Sequence, residues 1–295
     1  MRSCYHYSML EKSKKYSLAI VIFLLLIIDF SLIFIDFQAS HRDFTFAMLD
    51  VGQGDSLFIE SPTGNQIMFD VGPPRKVLGP LSRVMSPFDR SIDAIVITNP
   101  DADHLGGILE ILKNYKVGMV FESGTLTDSK IYQNFREEIK KQNIPDILIK
   151  RGMRLNIGGG VFIDILFPDR DVSSWATNDG SVVGRLTYGD TSVMLTGDAM
   201  AKTEKIILQE NSKEELKSTI LKVGHHGSRT SSSFSFVQAV APLHALISDA
   251  KDNKYGHPHK DTLDTLSKFG AKILRTDILG TIIIKCDKME ICEIN

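Results

Sequence analysis

The chain has 295 residues, of which 43% are hydrophobic and 24% are charged, and its formal net charge is −2. This length has room for one large α/β domain or two small ones. The near-neutral charge excludes an overall basic field, so any bound nucleic acid must be held by a local patch or by metal.

The first predicted element is an apolar segment at residues 16–37, which follows Lys12, Lys14 and Lys15. Because about 20 apolar residues span a bilayer, we predict one transmembrane anchor after a short cytoplasmic N-terminus at residues 1–15. The basic flank places the rest of the chain outside the cytoplasm, on the outer face of the cell membrane. A cleaved signal peptide is the alternative, although Ala39-Ser40 matches a cleavage site poorly.

The remaining elements alternate between strand and helix patterns. Predicted strands lie at residues 44–49, 56–60, 66–70, 92–98, 117–121, 161–167, 182–188, 192–196, 219–223 and 245–248, and near Ile273 and Ile282. Predicted helices lie at residues 105–115, 129–142, 199–210, 232–240 and 260–269. This periodicity predicts an α/β fold with mixed sheets.

Two cysteines flank five residues near the end of the chain, in a predicted terminal hairpin. Cys286 and Cys292 are compatible with an extracytoplasmic disulfide and equally with two unpaired apolar cysteines. No cysteine has metal-ligand spacing to another, so a thiolate zinc site is not expected.

Polar side chains that can bind metal are concentrated directly after the strand at 92–98. Asn99, Asp101, Asp103 and His104 lie within six residues and are followed by two glycines. The C-terminal ends of strands are where α/β folds keep their sites, so these side chains are expected at one sheet edge. Asp198 and His225 also follow predicted strands, although Asp198 has a plainer interpretation as a helix N-cap.

Three other aspartates sit at strand ends beside glycines. Asp50, Asp55 and Asp70 are expected to stabilise loops by accepting hydrogen bonds from backbone N–H groups.

The motif at 99–104 resembles the HxHxDH signature of the metallo-β-lactamase superfamily, and specifically its HxDxDH branch, with Asn99 at the first histidine. Further segments are similar to the soluble domain of ComEC-type DNA-uptake proteins: MLDVGQGDS at 48–56, MFDVG at 68–72, LTGD at 195–198, KVGHHGS at 222–228 and YGHPH at 255–259. The resemblance runs from about residue 44 to the C-terminus. It implies one four-layer αββα sandwich domain at residues 44–295.

The resemblance also implies two metal sites that share one carboxylate. The first site is expected to contain Asp103, His104, Asp198 and His225, and the second Asn99, Asp101, Asn178 and Asp198. Carboxamides replace two imidazoles of the second site, which is therefore expected to be impaired or to favour Mn²⁺ over Zn²⁺. The expected cofactor is one or two divalent ions, Mn²⁺ or Zn²⁺. His226 either orients His225 or is a polar neighbour.

The implied reaction is hydrolysis of a phosphodiester. Asp101 and Asp198 are expected to orient the attacking water, and His257 to assist the leaving group or bind a phosphate oxygen. Ser228 and Arg229 are expected phosphate contacts at the start of the following helix, with an N-cap serine and a solvated arginine as the plainer interpretations.

The favoured function is a metal-dependent nuclease that acts on DNA at the outer face of the cell membrane, as in DNA uptake or competence. Full-length proteins of the ComEC type have a many-helix membrane channel, so a separate DNA-channel protein is an expected partner. One alternative is a small-molecule phosphodiesterase of the same fold. The other is a membrane-anchored, non-catalytic binding module whose metal site, with Asn99 in place of histidine, is degenerate.

Overall fold

The computed structural model describes residues 16, 20–30, 42–287 and 292–295. It divides into two compact units, Met1–Arg42 and Asp43–Asn295. In the first unit, residues 20–30 are helical and exposed. The predicted span at 16–37 lies partly outside the described residues, and none of the described helices combines the length and apolar character needed to cross a membrane.

Two mixed β-sheets form the second unit. Its strands are β1 (Phe44–Met48), β2 (Leu57–Glu60), β3 (Gln66–Phe69), β4 (Ser91–Ile97), β5 (Lys116–Glu122), β6 (Asp146–Leu148), β7 (Arg154–Gly158), β8 (Val161–Phe167), β9 (Val183–Tyr188), β10 (Thr191–Leu195), β11 (Ile220–Lys222), β12 (His244–Ile247), β13 (Lys272–Arg275), β14 (Ile282–Cys286) and β15 (Cys292–Ile294). The first sheet has the order β15-β14-β1-β2-β3-β4-β5-β6, and the second has the order β13-β12-β11-β10-β9-β8-β7.

Helices lie between many of these strands in the chain. They are α1 (Leu78–Val84), α2 (Ala102–Leu105), α3 (Ile108–Asn114), α4 (Lys130–Lys141), α5 (Ala201–Glu210), α6 (Lys213–Leu216), α7 (Phe234–Val240), α8 (Lys260–Lys268) and α9 (Thr276–Leu279), with a short 3₁₀ turn at Gly224–Gly227.

Three hydrophobic clusters separate four layers. The central cluster joins side chains of both sheets, such as Phe46 and Ile163. One outer cluster packs α1, α3 and α4 on the first sheet, and the other packs α5, α7 and α8 on the second. All five side chains of β1 are buried because this strand lies between a helical layer and the other sheet. The predicted αββα sandwich is therefore confirmed.

Parallel pairing brings several strand ends to the same edges. In the first sheet β3 and β4 are parallel, and in the second β10, β11 and β12 are parallel. The loops after β4, β10 and β11 carry Asp101, Asp198 and His225 respectively. Sheet topology thus gathers the predicted site residues from distant parts of the sequence.

The C-terminal strands complete the first sheet. β14 pairs with β1, and β15 pairs with β14. A disulfide joins Cys286 and Cys292 across the last two strands, so of the two interpretations of these cysteines the disulfide is the one observed.

Candidate metal centre

A cavity of about 280 Å³ opens where the loops after β4, β10 and β11 meet. The residues that line it are Gln53, Asp101, Ala102, Asp103, Asn178, Asp198, His225, His226, Tyr255 and His257. Six of the sequence-predicted site residues are therefore on its walls, namely Asp101, Asp103, Asn178, Asp198, His225 and His257.

Four side chains converge closely enough to share one cation. One ligand atom from each of Asp103, His104, Asp198 and His226 lies within 4.8 Å of the others. His104 Nε2 is 3.1 Å from Asp198 Oδ2, and His226 Nε2 is 3.4 Å from Asp103 Oδ2. Two carboxylates and two imidazoles are a usual ligand set for a divalent transition metal. These four residues are called the primary cluster below.

Both histidines of the primary cluster are oriented by their Nδ1 atoms. His104 Nδ1 donates to Asp70 Oδ2 over 2.7 Å, and His226 Nδ1 donates to the Ser248 carbonyl over 3.0 Å. With Nδ1 acting as donor, Nε2 of each ring is the basic nitrogen that faces the carboxylates. Such outer partners commonly fix the tautomer of metal-binding histidines.

The backbone at the two adjacent histidines is unusual. His225 and His226 both have positive φ values, 49° and 53°, and Gly227 follows with 81°. The left-handed region is costly for residues other than glycine, and such strain is concentrated at functional sites. A Cβ at position 227 would lie 2.5 Å from Cβ of Pro258, so only glycine fits there. The turn lets two consecutive imidazoles line the same cavity.

This turn gives the two adjacent histidines different neighbours. The sequence-based expectation gave His225 to the first metal site and left His226 as a support or neighbour. In the structure His226 is buried within the primary cluster, whereas His225 Nε2 is 3.8 Å from Asp198 Oδ2 and 3.4 Å from Asn178 Nδ2. His225 therefore lies on the Asn178 side of Asp198.

A second group of polar side chains adjoins Asp198 on that side. Asp101, Asn178 and His225 line the cavity, and Thr177 Oγ1 donates to Asp101 Oδ2 over 2.8 Å. Asp101, Asn178 and His225 together with Asp198 are called the secondary group below. They combine two carboxylates, an amide and an imidazole.

The structure does not place Asn99, an expected ligand, in the secondary group. Its side chain is fully buried and does not line the cavity. Asn99 Oδ1 accepts from the Asp101 N–H over 3.0 Å, and Nδ2 donates to Ser181 Oγ over 3.2 Å. Both ends of the amide are thus used to shape the loop that carries Asp101.

Ser228 and Arg229 also lie away from the cavity wall. Ser228 is buried, with its hydroxyl 2.9 Å from Thr230 Oγ1. The Arg229 N–H donates to His259 Nδ1 over 3.1 Å. The structure does not bring these two side chains into the cavity wall, and their hydrogen bonds hold the turn after His226 and the loop that carries His259.

A buried lysine lies behind the primary cluster. Lys222 is fully buried, forms an ion pair with Asp55 and donates to the Gly197 carbonyl over 2.9 Å. Its Nζ is 4.0 Å from Asp198 Oδ1. The expectation that Asp55 accepts backbone N–H bonds is not met at its side chain, whereas Asp70 and Asp50 accept from the N–H groups of Thr98 and Gly52 as predicted.

The residues present fit bound divalent metal. Among the described residues, several buried polar atoms at the cavity have no hydrogen-bond partner, namely His104 Nε2, His226 Nε2, Asp198 Oδ1 and Asn178 Oδ1. Unpaired buried polar atoms are costly, and a coordinated cation would remove that cost.

The local charge is also consistent with metal. Five carboxylates and the Lys222 ammonium leave four negative charges when the imidazoles are neutral, which equals the charge of two divalent cations; the carboxylates are Asp55, Asp70, Asp101, Asp103 and Asp198. Burial by itself would lower the pKa of His104, but the adjacent carboxylates of Asp198 and Asp70 raise it well above its ordinary value. These carboxylates thus favour a protonated His104 imidazole, and metal binding would displace that proton.

His257 lies on the outer side of the cavity. Its ring is 5.6 Å from that of His225 and 6.3 Å from that of His226. Burial and the charge of neighbouring His226 and His225 lower the pKa of His257 to about 4, so its imidazole is neutral at physiological pH. A neutral imidazole offers one N–H donor and one acceptor nitrogen.

Several residues of the site were missed by sequence reasoning. Thr177 has a common residue type with no diagnostic spacing, whereas Gln53, Lys222 and Tyr255 lie inside motifs but were assigned no role. Position could have identified three of them: Thr177 and Tyr255 stand within two residues of a predicted site residue, and Gln53 lies in a glycine-bounded loop.

Comparisons with known proteins agree with this geometry. The profile of the family described as Metallo-beta-lactamase superfamily matches residues 49–248. The chain is 34% identical to ComE operon protein 3 of Bacillus subtilis over 256 residues, which cover 80% of this chain and 32% of that protein. It is 28% identical to Recombination protein 2 of Haemophilus influenzae over 249 residues, which cover 82% of this chain and 29% of that protein. The chain therefore spans about a third of the length of these relatives.

A solved structure shares the fold. The diiron β-hydroxylase CmlA of Streptomyces venezuelae is similar to this chain with a TM-score of 0.53 at 12% sequence identity, over 83% of this chain and 54% of that chain. At this level of identity the likeness concerns the fold alone.

Proposed function

The chain belongs to the metallo-beta-lactamase superfamily, and on that premise we propose that this metal-dependent hydrolase is a phosphodiesterase that cuts DNA. The observation that carries the proposal is the pair of ligand sets that share Asp198. Asp198 Oδ2 is 3.1 Å from His104 Nε2 of the primary cluster and 3.8 Å from His225 Nε2 of the secondary group. Two adjacent cations suit displacement at a phosphoryl group, where both the attacking and the leaving oxygen carry charge.

The proposed roles follow from the contacts of each side chain. When bound, divalent cations supply Lewis acidity, which acidifies a coordinated water and stabilises negative charge on a phosphoryl group. Asp198 is shared by both ligand sets. Thr177 holds Asp101, which orients the attacking water. His257 contributes an N–H donor to a phosphate oxygen or to the leaving oxygen.

The oxygen-rich secondary group favours a hard ion such as Mn²⁺, whereas the two imidazoles of the primary cluster also suit Zn²⁺. The similarity to ComE operon protein 3, Recombination protein 2 and Competence protein ComA of Neisseria gonorrhoeae supports DNA as the substrate. In this proposal residues 16–37 anchor the chain in the cell membrane, the hydrolase unit faces outward, and a separate channel protein transports the DNA.

The experiment that tests the function is metal-dependent cutting of DNA by the purified chain. After metal removal, single-stranded and duplex DNA are incubated with the full chain in detergent and restored Mn²⁺, Zn²⁺ or Mg²⁺. The wild type is compared with His226→Ala, His225→Ala and a control, His244→Ala, on β12 away from the cavity.

Wild type and His244→Ala are expected to cut DNA. His226→Ala should lose at least about 100-fold in rate together with metal bound in the primary cluster, because it removes one of four ligands. His225→Ala should retain one tightly bound ion per chain and lose the second. Absence of cutting with every ion, or equal cutting by all four proteins, would refute the proposal. Hydrolysis of small phosphodiesters but not of DNA would favour the small-molecule phosphodiesterase. Metal binding without any hydrolysis would favour the non-catalytic binding module.

A further inference from the structure

An exposed aromatic ring stands at the mouth of the cavity. Tyr255 is 53% exposed, and among the residues lining the cavity it is the one with a large aromatic hydrocarbon surface. Its companions are carboxylates, amides, imidazoles and Ala102. Tyr255 therefore presents an aromatic face to solvent beside the metal-binding residues.

The Tyr255 ring continues a row of rings that starts in the primary cluster. The His226 and His257 ring centres are 6.3 Å apart, with planes inclined by 32°. His257 and Tyr255 follow with centres 5.6 Å apart and planes inclined by only 21°. The row therefore leads outward from the metal-binding residues. It ends at the half-exposed Tyr255 ring, which is nearly parallel to the His257 ring.

The loop that carries Tyr255 is ordered by one side chain. Asn253 Oδ1 accepts from the N–H groups of Tyr255 and His257, over 3.1 and 3.0 Å. Asn253 Nδ2 donates to the carbonyls of His257 and Ala250 and to Asp249 Oδ1. Because the same amide holds both ends of the segment, the positions of the two rings are coupled. A ring presented in this way loses little entropy when a ligand stacks on it.

The neighbouring charge suits an anionic ligand. Lys251 and Lys254 are exposed on the same loop, and Lys254 Nζ lies 5.0 Å from the centre of the Tyr255 ring. An exposed lysine has a flexible side chain, so it can leave the ring surface and approach a phosphate. The ring, the ammonium groups and the metal cluster suit three groups of a nucleic-acid strand: a base, a flanking phosphate and the scissile phosphate.

On these observations we propose that Tyr255, supported by His257, is a stacking platform for the nucleobase next to the phosphodiester that is cut. This inference rests on the proposed function and adds a base-binding subsite to it. Every base has a π face, so the platform contributes affinity without selecting sequence. His257 thereby links the base to the reacting phosphate.

The test compares two single-stranded oligonucleotides that differ in one position, a normal base or an abasic residue beside the cut bond. The full chain is assayed as wild type, Tyr255→Phe, Tyr255→Leu and Phe88→Leu. Phe88 is 94% exposed and remote from the cavity lining, so its variant controls for loss of an exposed ring. Binding of an oligonucleotide with 2-aminopurine at the same position is followed by fluorescence quenching.

Wild type, Tyr255→Phe and Phe88→Leu should prefer the normal oligonucleotide by roughly tenfold in kcat/KM and quench 2-aminopurine. Tyr255→Leu should cut the normal and the abasic oligonucleotide at equal rates and should not quench 2-aminopurine. If wild type cuts both oligonucleotides equally well, or if Tyr255→Leu keeps the wild-type preference, the platform is overturned and the nuclease function stands. If wild type cuts neither oligonucleotide, the proposed function fails. In that case the fluorescence measurement alone tests the stacking platform. Loss of quenching in Tyr255→Leu but in no other variant supports the platform, and equal quenching by all four proteins overturns it.

Discussion

Asp70 has a part in the site that depends on both of its carboxylate oxygens. Its Oδ1 accepts from the Thr98 N–H over 2.7 Å, and its Oδ2 accepts from Thr98 Oγ1 and His104 Nδ1. Sequence reasoning predicted the loop-stabilising bond to the backbone. The hydrogen bond to His104 joins residues that are 34 positions apart, so local sequence patterns could not predict it.

The first prediction is that Asp70→Asn weakens metal binding by about 10- to 100-fold. An asparagine NH₂ group facing His104 Nδ1 would donate to it, which moves the ring proton to Nε2 and blocks the nitrogen that faces the primary cluster. Titration calorimetry with Mn²⁺ and Zn²⁺ measures the effect. Asp93→Asn is the control, because Asp93 accepts a backbone N–H bond from Gln66 outside the site. Equal affinity of Asp70→Asn and wild type would contradict this reasoning.

The second prediction concerns Lys222. Removing one member of a buried ion pair typically costs about 3–5 kcal/mol, because the other charge remains buried without compensation. Lys222→Met should therefore lower the free energy of unfolding by about that amount in chelator, as measured by urea denaturation. Added divalent metal should restore part of the loss, since the cation replaces the missing positive charge.

Two further variants make the Lys222 prediction specific. The double variant Lys222→Met with Asp55→Asn should be more stable than Lys222→Met alone, because neither charge then remains. Lys260→Met, which breaks an exposed pair with Asp264, should leave the unfolding curve unchanged. A Lys222→Met protein as stable as wild type in chelator would show that the buried pair does not carry the expected energy.

At the level of elements, departures from prediction follow from local chemistry. One helix was predicted at 105–115, but α2 and α3 are separate because Gly106 and Gly107 interrupt the helix. β6 was missed because its three residues form an exposed edge strand directly after Pro145. α1 was missed because it contains Gly79 and Pro80, which signal turns in a sequence.

A charge network around the buried Glu122 side chain joins α4 to the first sheet. The Arg136 guanidinium on α4 donates to Glu122 at the end of β5 and to Asp146 at the start of β6. Burial, together with the neighbouring Asp146 carboxylate, raises the pKa of Glu122 to about 7. This value exceeds the ordinary carboxyl pKa of 4.5, so the folded chain holds the Glu122 proton more tightly than the unfolded chain.

The third prediction is a pH dependence of stability due to Glu122. The contribution of the Glu122 carboxyl to the free energy of unfolding is fully present below about pH 4.5 and is lost as the pH rises through about 7. Compared with wild type, Glu122→Gln should therefore gain stability between pH 5 and pH 8 by on the order of 1–3 kcal/mol. Urea denaturation at several pH values measures the difference. Glu137→Gln, on the exposed face of α4, should keep the wild-type pH profile, and an identical profile for Glu122→Gln would refute the assignment.

At the scale of the whole molecule, the described residues form two units, and Asp43–Asn295 contains all three hydrophobic clusters of the hydrolase fold. The anchor at residues 16–37 stays a prediction from hydropathy and basic flank. The disulfide between Cys286 and Cys292 agrees with an outward location, because disulfides persist in oxidising compartments.

The fourth prediction is that the full chain sediments with membranes and that protease added to intact cells digests the hydrolase unit. A chain starting at residue 43 should be found in the soluble fraction and still bind metal, because the primary cluster lies wholly within Asp43–Asn295. A known surface domain serves as the digestion control. Survival of the hydrolase unit while that control is digested would refute the outward topology.

Hydrophobic periodicity in the sequence determined the alternation of strands and helices, because it is a local property, and the motifs implied the αββα architecture and the candidate ligands through their resemblance to a known family. Only the tertiary structure decided which side chains meet. His226 rather than His225 joins the primary cluster, since two consecutive left-handed residues redirect both rings. Asn99 supports a loop, and Lys222 becomes a buried counterion beneath Asp198. Side-chain direction and burial depend on backbone dihedrals and on contacts between distant strands, which residue spacing does not encode.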